Sequence, residues 1–437
     1  MKIAVIGAGW AGCAAAVEAT RLGHQVTLFE ATTIAGGRAR RVGVHGTVLD
    51  NGQHILIGAY SETLKLMAAL GVDETTALLR LPLRMQRPDG SGLKLPQSLF
   101  TPAPLDALVG IVLARGWSWR DKLSLLQTAA TWQLRRFECP PQQSVTNLCR
   151  GVSPRIMATL IEPLCVSALN TPPDRASGQV FLRVMRDALF SSRGGSNLLL
   201  PRVDLSALLP DAALAWLQRH GGQLRLGTRV QALTPTGTPT GADTGTSWSV
   251  TCAGTPTDDV FDRVVLACPP IEAARLATSC GLPCQTWLAQ ALGLQFEAIA
   301  TVYLQTGGAA AKSLPEPMLA LCSTPGFPAQ FVFDRSQLDG PPGLLAFVIS
   351  ASVDSGSVLT QQVLSQAHAQ LGLQDLKAVQ TIVEKRATFA CNPGLTRPGM
   401  VVTPGLLACG DYIAGPYPAT LESAVRSGLE AARQLAG

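Results

Sequence analysis

The sequence predicts an α/β protein with two domains, one of which is assembled from separate parts of the chain. Residues 1–30 read as a strand, a glycine cluster, an alanine-rich helix and a second strand. Residues 298–350 change to β-rich runs separated by glycine and proline, as expected of an antiparallel sheet. Residues 406–437 return to a strand, a Gly-Asp turn and an alanine-rich helix. We therefore expect the two ends of the chain to share one domain.

Length and composition limit the function. The chain has 437 residues, of which 47% are hydrophobic, 15% charged and 5% aromatic, and its net charge is +5. At roughly 150 residues per domain, this length fits two to three domains. A chain this apolar is not globally disordered, and its small charge and few aromatic residues argue against nucleic acid as a partner.

Cysteine and histidine are not arranged as metal ligands. The eleven cysteines form no C-x-x-C pair, and none of the five histidines recurs four residues from another. We therefore expect no metal site, and reduced, mostly buried cysteines in a cytoplasmic protein. Residues 1–6 run directly into the glycine cluster, so no signal peptide is expected.

A glycine motif follows the first predicted strand and opens the first predicted helix. It reads G-x-G-x-x-G and comprises Gly7, Ala8, Gly9, Trp10, Ala11 and Gly12. Gly7 permits a tight turn, Gly9 lets backbone N–H groups approach a pyrophosphate, and Gly12 lets helix and strand pack closely. Glu30, followed by Ala31, ends the second strand where an acidic residue would bind ribose hydroxyls. The pattern predicts dinucleotide binding; the alternative is a core helix after a turn, with Glu30 solvated.

Between the motifs, apolar spacing and glycine stops predict the remaining elements in turn. Helices are expected over 60–70, 104–137, 153–190 and 211–220, with a break in the third at Pro172-Pro173. Strands are expected over 223–233, 247–252 and 263–267. Residues 234–246 are a low-complexity run of threonine, proline and glycine, which we interpret as the tip of a hairpin.

Gly36-Gly37-Arg38 indicates which dinucleotide is bound. A Rossmann-like unit followed within a few residues by Gly-Gly-Arg resembles the FAD-binding amine oxidase and phytoene desaturase superfamily. In that superfamily the glycines let the chain pass close to the cofactor and the arginine pairs with the pyrophosphate, which guanidinium geometry favours. The resemblance implies non-covalent FAD.

The C-terminal part completes this resemblance. Gly410-Asp411 corresponds to a Gly-Asp turn whose aspartate binds the ribitol or phosphate of FAD, and the helix that begins near Thr420-Leu421 would point its N-terminus at the flavin. Val230 falls where the superfamily touches adenine with a backbone strand. The alternatives are an ordinary turn aspartate and a core valine.

Residues 50–60 carry a more specific resemblance. They read Asp-Asn-Gly-Gln-His-Ile-Leu-Ile-Gly-Ala-Tyr and, with residues 162–171 and 199–206, resemble the squalene-associated desaturases described as hydroxysqualene dehydroxylases. The resemblance puts Gly52, Gln53 and His54 beside the isoalloxazine. His54 would either donate a proton or orient the loop. Glu162 and Asp187 are weaker catalytic candidates, because helical acids are more often caps or ion-pair partners.

The resemblance implies an FAD-dependent oxidoreductase that removes the hydroxyl of hydroxysqualene, a C30 isoprenoid, with hydride from N5 of reduced flavin to give squalene for hopanoid biosynthesis. The electron donor stays open, since the chain has one G-x-G-x-x-G motif. One alternative is a carotenoid-type desaturase with the opposite hydride direction. Another is a non-catalytic prenyl-binding protein of the same fold. Amine oxidation is disfavoured, because a chain with four tyrosines offers no clear aromatic cage.

Residues 105–136 combine basic side chains, apolar residues and Trp117, Trp119 and Trp132. This combination is typical of an interfacial membrane helix, and the alternative is a pair of core helices. We expect the segment to contact the inner face of the membrane peripherally, because a C30 substrate partitions into lipid.

The predicted domains follow from these motifs. Residues 1–78, 201–284 and 391–437 are expected to form the Rossmann-like FAD-binding domain. Residues 79–200 and 285–390 are expected to form a substrate domain of mixed β-sheet and helices.

Overall fold

The structure is a computed structural model that describes residues 1–44, 46–96, 105–190, 193–236, 247–252, 255–307, 314–352 and 354–435. The strands within these ranges are β1 (Lys2–Ile6), β2 (Gln25–Phe29), β3 (Arg41–Val44), β4 (Thr47–Asp50), β5 (Leu56–Ile57), β6 (Leu78–Leu81), β7 (Arg84–Gln86), β8 (Gly92–Lys94), β9 (Leu198–Pro201), β10 (Gln223–Arg225), β11 (Val230–Thr236), β12 (Ser247–Cys252), β13 (Thr255–Phe261), β14 (Arg263–Leu266), β15 (Phe296–Gln305), β16 (Met318–Ala320), β17 (Phe331–Asp334), β18 (Leu344–Ser352), β19 (Lys377–Phe389), β20 (Val401–Thr403) and β21 (Leu406–Ala408).

The helices of the same ranges are α1 (Trp10–Arg21), α2 (Ser61–Ala69), α3 (Glu74–Ala77), α4 (Leu105–Leu113), α5 (Trp119–Leu134), α6 (Val145–Leu148), α7 (Pro154–Ile156), α8 (Glu162–Leu169), α9 (Gly178–Leu189), α10 (Leu205–Leu208), α11 (Pro210–Arg219), α12 (Pro270–Ser279), α13 (Gln285–Leu292), α14 (Gly356–Leu371) and α15 (Leu421–Gln434). A π-helical turn at Met157–Ile161 joins α7 to α8, and a 3-10 turn follows β17 at Arg335–Leu338.

A six-stranded sheet holds both ends of the chain. Its strand order is β10-β2-β1-β14-β21-β20, and all neighbours are parallel except the edge pair β20–β21. β1, β2 and β14 bury nearly every side chain, because helices cover both faces of such a sheet. The α/β fold class is thereby confirmed, whereas the proposed domain boundaries stay a prediction.

The predicted strand over 223–233 is wrong. β10 ends at Arg225 and joins the parallel sheet, whereas β11 starts at Val230 and belongs to a separate antiparallel sheet with β12 and β13. The chain turns between them, where Gly227 has a φ of +66° and its N–H group donates to the carbonyl of Thr32. Of the predicted hairpin tip, residues 237–246 lie outside the described residues.

The β-rich runs of residues 298–350 form an antiparallel sheet, as predicted. Its strand order is β16-β17-β18-β15-β19, and α14 covers one face with Leu359 and Val363. β15 pairs with β19 and β18 along most of its length. The opposite face packs toward the parallel sheet, where Tyr303 and Phe389 are buried.

α1 packs against both the glycine motif and α15 at backbone distance. A Cβ atom added to Gly428 of α15 would lie 2.1 Å from the carbonyl oxygen of Ala11. Only glycine permits this approach, so the C-terminal helix is held against the first helix. Glu422 in the first turn of α15 then accepts from the N–H group and hydroxyl of Thr63 at 2.9 and 2.7 Å, which fixes the start of α2.

The helical segment over 104–137 consists of two helices, α4 and α5, joined by residues 114–118. Trp119 is 71% exposed, whereas Trp117 and Trp132 are buried, so of these three tryptophans only Trp119 is available to a membrane surface. Trp132 stacks edge-on against Phe181 of α9, which explains its burial. In the part of the chain that is described, no helix has the length and apolar character needed to cross a bilayer.

Candidate cofactor-binding and active site

The glycine motif forms a tight turn at the carboxyl end of β1. Gly7 has a φ of +111°, and its N–H group donates to the carbonyl of Phe29 at 2.7 Å. A Cβ atom at Gly7 would lie 2.6 Å from the carbonyl oxygen of Ala267, and one at Gly12 would lie 1.8 Å from that of Gly7. Glycine is therefore required at both positions by contacts within the protein.

Gly9 is different, because the space beside it is open. A Cβ atom there would come no nearer to another residue than 3.9 Å, to Cα of Gly37. Gly37 has a φ of +61°, and Gly36 donates its N–H group to the carbonyl of Ala8 at 2.8 Å, so the two glycine segments face each other. α1 starts here without a side-chain cap, which leaves its first N–H groups available for a phosphate.

Glu30 lies at the end of β2, against the same loop. Its carboxylate accepts from the N–H groups of Ala8 at 2.8 Å and Thr32 at 2.9 Å. Its carbonyl accepts from the N–H group of Thr228 at 2.8 Å, which brings the start of β11 and the buried Val230 alongside. An acid and a strand start at this place suit a ribose and an adjoining base.

The other residues of the motif support the loop. The side chain of Trp10 is buried, and its indole N–H donates to the carbonyl of Ala39 at 3.0 Å. Ala8 and Ala11 are buried as well, whereas Ala31 is exposed beside Glu30. Trp10 therefore shapes the loop that carries Gly36 and Gly37 instead of offering a free surface.

Arg38 and Asp411 meet, although 373 positions separate them. The Arg38 guanidinium donates to the Asp411 carboxylate at 2.7 Å and to the carbonyl of Ala387 in β19. Asp411 is buried, and the N–H group of Gly410 donates to the hydroxyl of Ser427 in α15 at 3.0 Å. Three parts of the chain thus meet at one point: the segment that carries Arg38, strand β19, and the C-terminal segment that carries Asp411. The point holds one positive group, the guanidinium, and one negative group, the carboxylate.

The loop at residues 50–54 is fastened by groups of the antiparallel sheet and of the turn that follows β17. The hydroxyl of Tyr303 in β15 donates to the carbonyl of Asp50 at 2.9 Å. Arg335, which follows β17, donates to the side-chain oxygen of Gln53 at 3.1 Å and lies 3.9 Å from the Asp50 carboxylate. The N–H group of Gln53 donates weakly to the hydroxyl of Thr301 at 3.4 Å. The loop is therefore held from one side by the antiparallel sheet.

Asp50 is a buried carboxyl group, 4% exposed. Burial raises its pKa to about 6, and the hydrogen bond from the N–H group of Leu205 and the charge of Arg335 oppose that rise. It lines a cavity of about 400 Å³ together with Tyr303 and Arg335. Asp50 therefore titrates near neutral pH beside the loop that carries His54.

One ring nitrogen of His54 is engaged within its own loop. Its Nδ1 atom lies 2.9 Å from the carbonyl oxygen of Gly52, which only a protonated nitrogen can approach favourably. Burial lowers the pKa of the imidazole and the charge of Arg38 lowers it further, although the hydrogen bond to Gly52 acts in the opposite direction. The ring is therefore neutral at pH 7, and Nε2 is then a hydrogen-bond acceptor.

α15 begins where the sequence indicated, and its N-terminus is capped at Thr420. The Thr420 hydroxyl accepts from the N–H group of Ser423 at 3.1 Å, and the Ser423 hydroxyl accepts from that of Thr420 at 3.0 Å. Leu421 is the first helical residue. The capping box satisfies two backbone N–H groups at the start of the helix.

Glu162 and Asp187 lie outside this arrangement. Glu162 is exposed in the first turn of α8. Asp187 accepts from Arg183 at 2.8 Å and from the hydroxyl of Tyr417 at 2.8 Å. Asp187 thus has the ion-pair role that was the alternative for it.

Sequence reasoning missed Arg335, Tyr303 and Thr301. Tyr303 and Thr301 read as ordinary members of an apolar strand, and no local signal marks them. Arg335 carries a weak sequence signal, since it directly follows the buried strand β17. An arginine in such a place is expected to need a hydrogen-bond or ionic partner.

The residues present fit a dinucleotide. The open space between Gly9 and Gly37, the uncapped start of α1, and Glu30 at the neighbouring strand end supply a place for a pyrophosphate and a ribose. Arg38 supplies a matching positive charge. Among the described residues there is no group of three or more histidine, cysteine or acidic side chains that could hold a metal ion.

Comparison with known proteins also indicates a flavin-binding protein. Residues 10–436 match the family described as flavin containing amine oxidoreductase. A hydroxysqualene dehydroxylase of Rhodopseudomonas palustris is 29% identical over 98% of this chain and 96% of its own length, and one of Sinorhizobium fredii is 26% identical over 99% and 97%. A zeta-carotene desaturase of Synechocystis is 30% identical, but over only 28% of this chain and 26% of its own.

Solved structures show the same fold. An oxidoreductase from Methanosarcina mazei superposes with a TM-score of 0.72 at 18% identity, over 99% of this chain and 100% of that one.

Replacing Gly9 with valine should abolish FAD binding and leave the fold intact. The added side chain meets no protein atom closer than 3.9 Å at Cβ, but it fills the space proposed for the pyrophosphate. The measurement is bound flavin per protein by absorbance, with the melting temperature as the check on folding. Gly326→Val, where nothing lies within 4 Å of the added Cβ atom, is the matched control. A yellow Gly9→Val protein with wild-type flavin content would contradict the assignment.

Replacing Asp50 with asparagine should remove a pH dependence of stability. The pKa of Asp50 is raised to about 6 in the folded protein, which means that the fold favours the neutral carboxyl group. The stability gained from binding this proton is present at acidic pH and is lost as pH rises through about 6. Wild type should lose about 1 kcal/mol of unfolding free energy relative to the variant between pH 5 and pH 7.5. Urea unfolding at both pH values measures this, and a constant difference between the two proteins would show that Asp50 does not titrate there.

Proposed function

This chain belongs to the family of flavin containing amine oxidoreductases, and we propose that it is the FAD-dependent enzyme that removes the hydroxyl group of hydroxysqualene to give squalene. The observation that carries the proposal is the similarity to hydroxysqualene dehydroxylases over nearly the whole of both chains. The protein is a flavoprotein oxidoreductase with FAD as its cofactor.

We propose a role for each group of residues in binding FAD and aligning the substrate. Gly9, Gly37 and Arg38 hold the diphosphate, Glu30 binds the ribose, and the capped N-terminus of α15 faces the flavin ring. FAD, when bound and reduced, supplies a hydride at N5. The bond between the allylic carbon and its hydroxyl breaks, the carbon takes the hydride, and the hydroxide leaves as water with one proton. The protein must align that carbon and exclude bulk water.

We propose that His54 orients the loop and does not supply the proton. The support is its contact with the Gly52 carbonyl and its lowered pKa. An imidazole that is neutral at pH 7 and donates through Nδ1 can only accept at Nε2. It can receive a hydrogen bond from the substrate hydroxyl and so fix its direction.

The opposite hydride direction, as in a carotenoid desaturase, is the second candidate. It is supported by the shorter match to a zeta-carotene desaturase. The full-length matches favour dehydroxylation. A non-catalytic binder is disfavoured because Gly7, Gly9, Glu30 and Arg38 keep a geometry that suits the cofactor.

We also propose that the enzyme works at the cytoplasmic face of a membrane, from which it takes its apolar substrate. The support is a surface on α4 and α5, called here the apolar face, that exposes large hydrophobic side chains to solvent. Its members are Leu105, Leu108, Val112, Leu113, Trp119 and Leu123.

Reduced enzyme mixed anaerobically with hydroxysqualene should return to the oxidised flavin spectrum and form squalene. Oxidised enzyme should leave hydroxysqualene unchanged, because the reaction consumes a hydride. Stopped-flow absorbance and product analysis by mass spectrometry measure the two results. If oxidised enzyme instead desaturates a linear polyene and reduced enzyme ignores hydroxysqualene, the desaturase candidate is correct.

Replacing His54 with alanine should slow this single turnover by less than about tenfold, since a positioned proton donor contributes 10²–10⁴-fold. His54→Gln, which keeps a hydrogen-bonding side chain, should recover most of the rate. The flavin content of both variants is the control. A loss beyond about a hundredfold at full flavin content, not recovered by glutamine, would make His54 the acid.

A further inference from the structure

The apolar face adjoins a cavity that the proposed reaction does not use. The cavity has a volume of about 390 Å³ and lies between the turn joining β7 to β8 and the loop joining α4 to α5. Arg87, Trp117, Arg155 and Thr159 are among its lining residues. Gly116 also lines it and belongs to the same loop as Trp117, so the cavity opens directly beside the apolar face.

The apolar face is one continuous surface at this end of the two helices. The Lys122 ammonium donates to the carbonyl of Val112 at 2.6 Å and lies 5.0 Å from the ring centroid of Trp119. These contacts hold the end of α4 beside the start of α5. Leu113 is 66% exposed and Trp119 is 71% exposed, so the most exposed side chains flank the loop that lines the cavity.

The cavity offers hydrogen-bond donors. The Arg155 guanidinium donates to the carbonyl of Gly116 at 2.8 Å through Nη1, and the rest of its side chain is largely exposed. Arg87 is half-buried on the opposite wall. The hydroxyl of Thr159 is buried without a hydrogen-bond partner among the described residues, and the π-helical turn at Met157–Ile161 presents it to the cavity.

The acidic groups nearby are already engaged. Asp89 lines the cavity, and its carboxylate accepts from the N–H group of Ser91 at 2.9 Å. Asp121 accepts from the hydroxyls of Ser118 at 2.8 Å and Ser153 at 2.6 Å, and its nearest approach to Arg155 is 4.0 Å. The side chains of Arg87, Arg155 and Thr159 line this space beside the Asp89 carboxylate, whose pKa is lowered by the hydrogen bonds from Ser91 and by the charge of Arg87. A tetrahedral oxyanion there would accept hydrogen bonds from the two arginines and from the Thr159 hydroxyl.

We propose that this cavity binds the phosphodiester headgroup of an anionic lipid while the apolar face enters the acyl layer. This inference rests on the proposed function in one respect: an enzyme that takes its substrate from a membrane has a reason to dock there. Two features favour a lipid over a free anion. The donors lie at the edge of an exposed apolar surface, and Trp119, an amphipathic side chain that prefers the membrane–water interface, stands beside them.

The test is co-sedimentation of the holoenzyme with two kinds of vesicle at equal ionic strength. One is phosphatidylcholine alone, and the other contains phosphatidylcholine with phosphatidylglycerol. Arg87→Gln combined with Arg155→Gln should weaken binding to the anionic vesicles by roughly 25-fold, taking about fivefold for each basic residue at an anionic surface. It should leave binding to phosphatidylcholine unchanged. The control removes the same charge elsewhere, with Arg135→Gln at the far end of α5 and Arg219→Gln in α11.

Two further variants separate the parts of the proposal. Thr159→Val removes one hydroxyl without changing charge or shape and should weaken only the anionic binding, severalfold. Trp119→Ser combined with Leu123→Ser should weaken binding to both vesicles. If the arginine pair loses no more than its control, the interaction is diffuse electrostatics and the site is wrong. If inorganic phosphate binds through Arg87 and Arg155 while vesicle binding is unaffected by their loss, the site takes free anions and the lipid assignment is overturned.

None of these variants touches the proposed FAD site, so flavin content should equal that of wild type in each. Vesicle binding is measured without turnover. A failure of the lipid site is therefore distinguishable from a failure of the proposed dehydroxylation.

Discussion

The close backbone contact of α1 with its neighbours is the constraint on which the rest of the structure depends. On one side, Gly12 approaches Gly7 so closely that a Cβ atom would lie 1.8 Å from a carbonyl oxygen. On the other, Gly428 approaches Ala11 in the same way, at 2.1 Å. The first contact sets the glycine loop and the second sets α15. α15 carries Glu422, which fixes the start of α2, the helix that follows residues 50–60. Gly12 and Gly428, at opposite ends of the chain, therefore position the cofactor-binding loop, the Gly-Asp turn and α2.

A second constraint ties the loop at residues 50–54 to the antiparallel sheet. Asp50 and Arg335 are both buried; the charge of Arg335 offsets only part of the cost of burying the Asp50 carboxylate, and the guanidinium holds Gln53. Tyr303 reaches the same loop from the antiparallel sheet. The loop that carries Gly52 and His54 therefore keeps its shape through groups from β15 and from the turn after β17. This arrangement makes the antiparallel sheet part of the candidate active site, and it explains how the loop that carries His54 can be held in one orientation.

The sequence alone predicted the parts of the site that depend on local backbone geometry. A turn, a close approach or a helix start demands particular residues within a few positions. That is why the sequence shows Gly7, Gly9 and Gly12, Gly36-Gly37-Arg38, and the helix start near Thr420-Leu421. The antiparallel sheet was predictable for the same reason, since β-rich runs and their glycine or proline breaks are local. The strand expected over 223–233 failed where a change of sheet occurs at Gly227, because both halves have strand-like composition and only their partners differ.

Tertiary structure alone decided which distant groups meet. No spacing rule links Arg38 to Asp411, Asp50 to Arg335, or Tyr303 to Asp50, because each pair is joined by the packing of separate elements across hundreds of positions. Burial was decided in the same way: Trp117 and Trp119 are two residues apart in one segment, yet one is buried and the other is 71% exposed, since the direction of a side chain depends on what packs against its element. The sequence determined the kind of cofactor site and the order of its elements. The tertiary structure determined which charged groups surround His54 and which side chains are exposed at the protein surface.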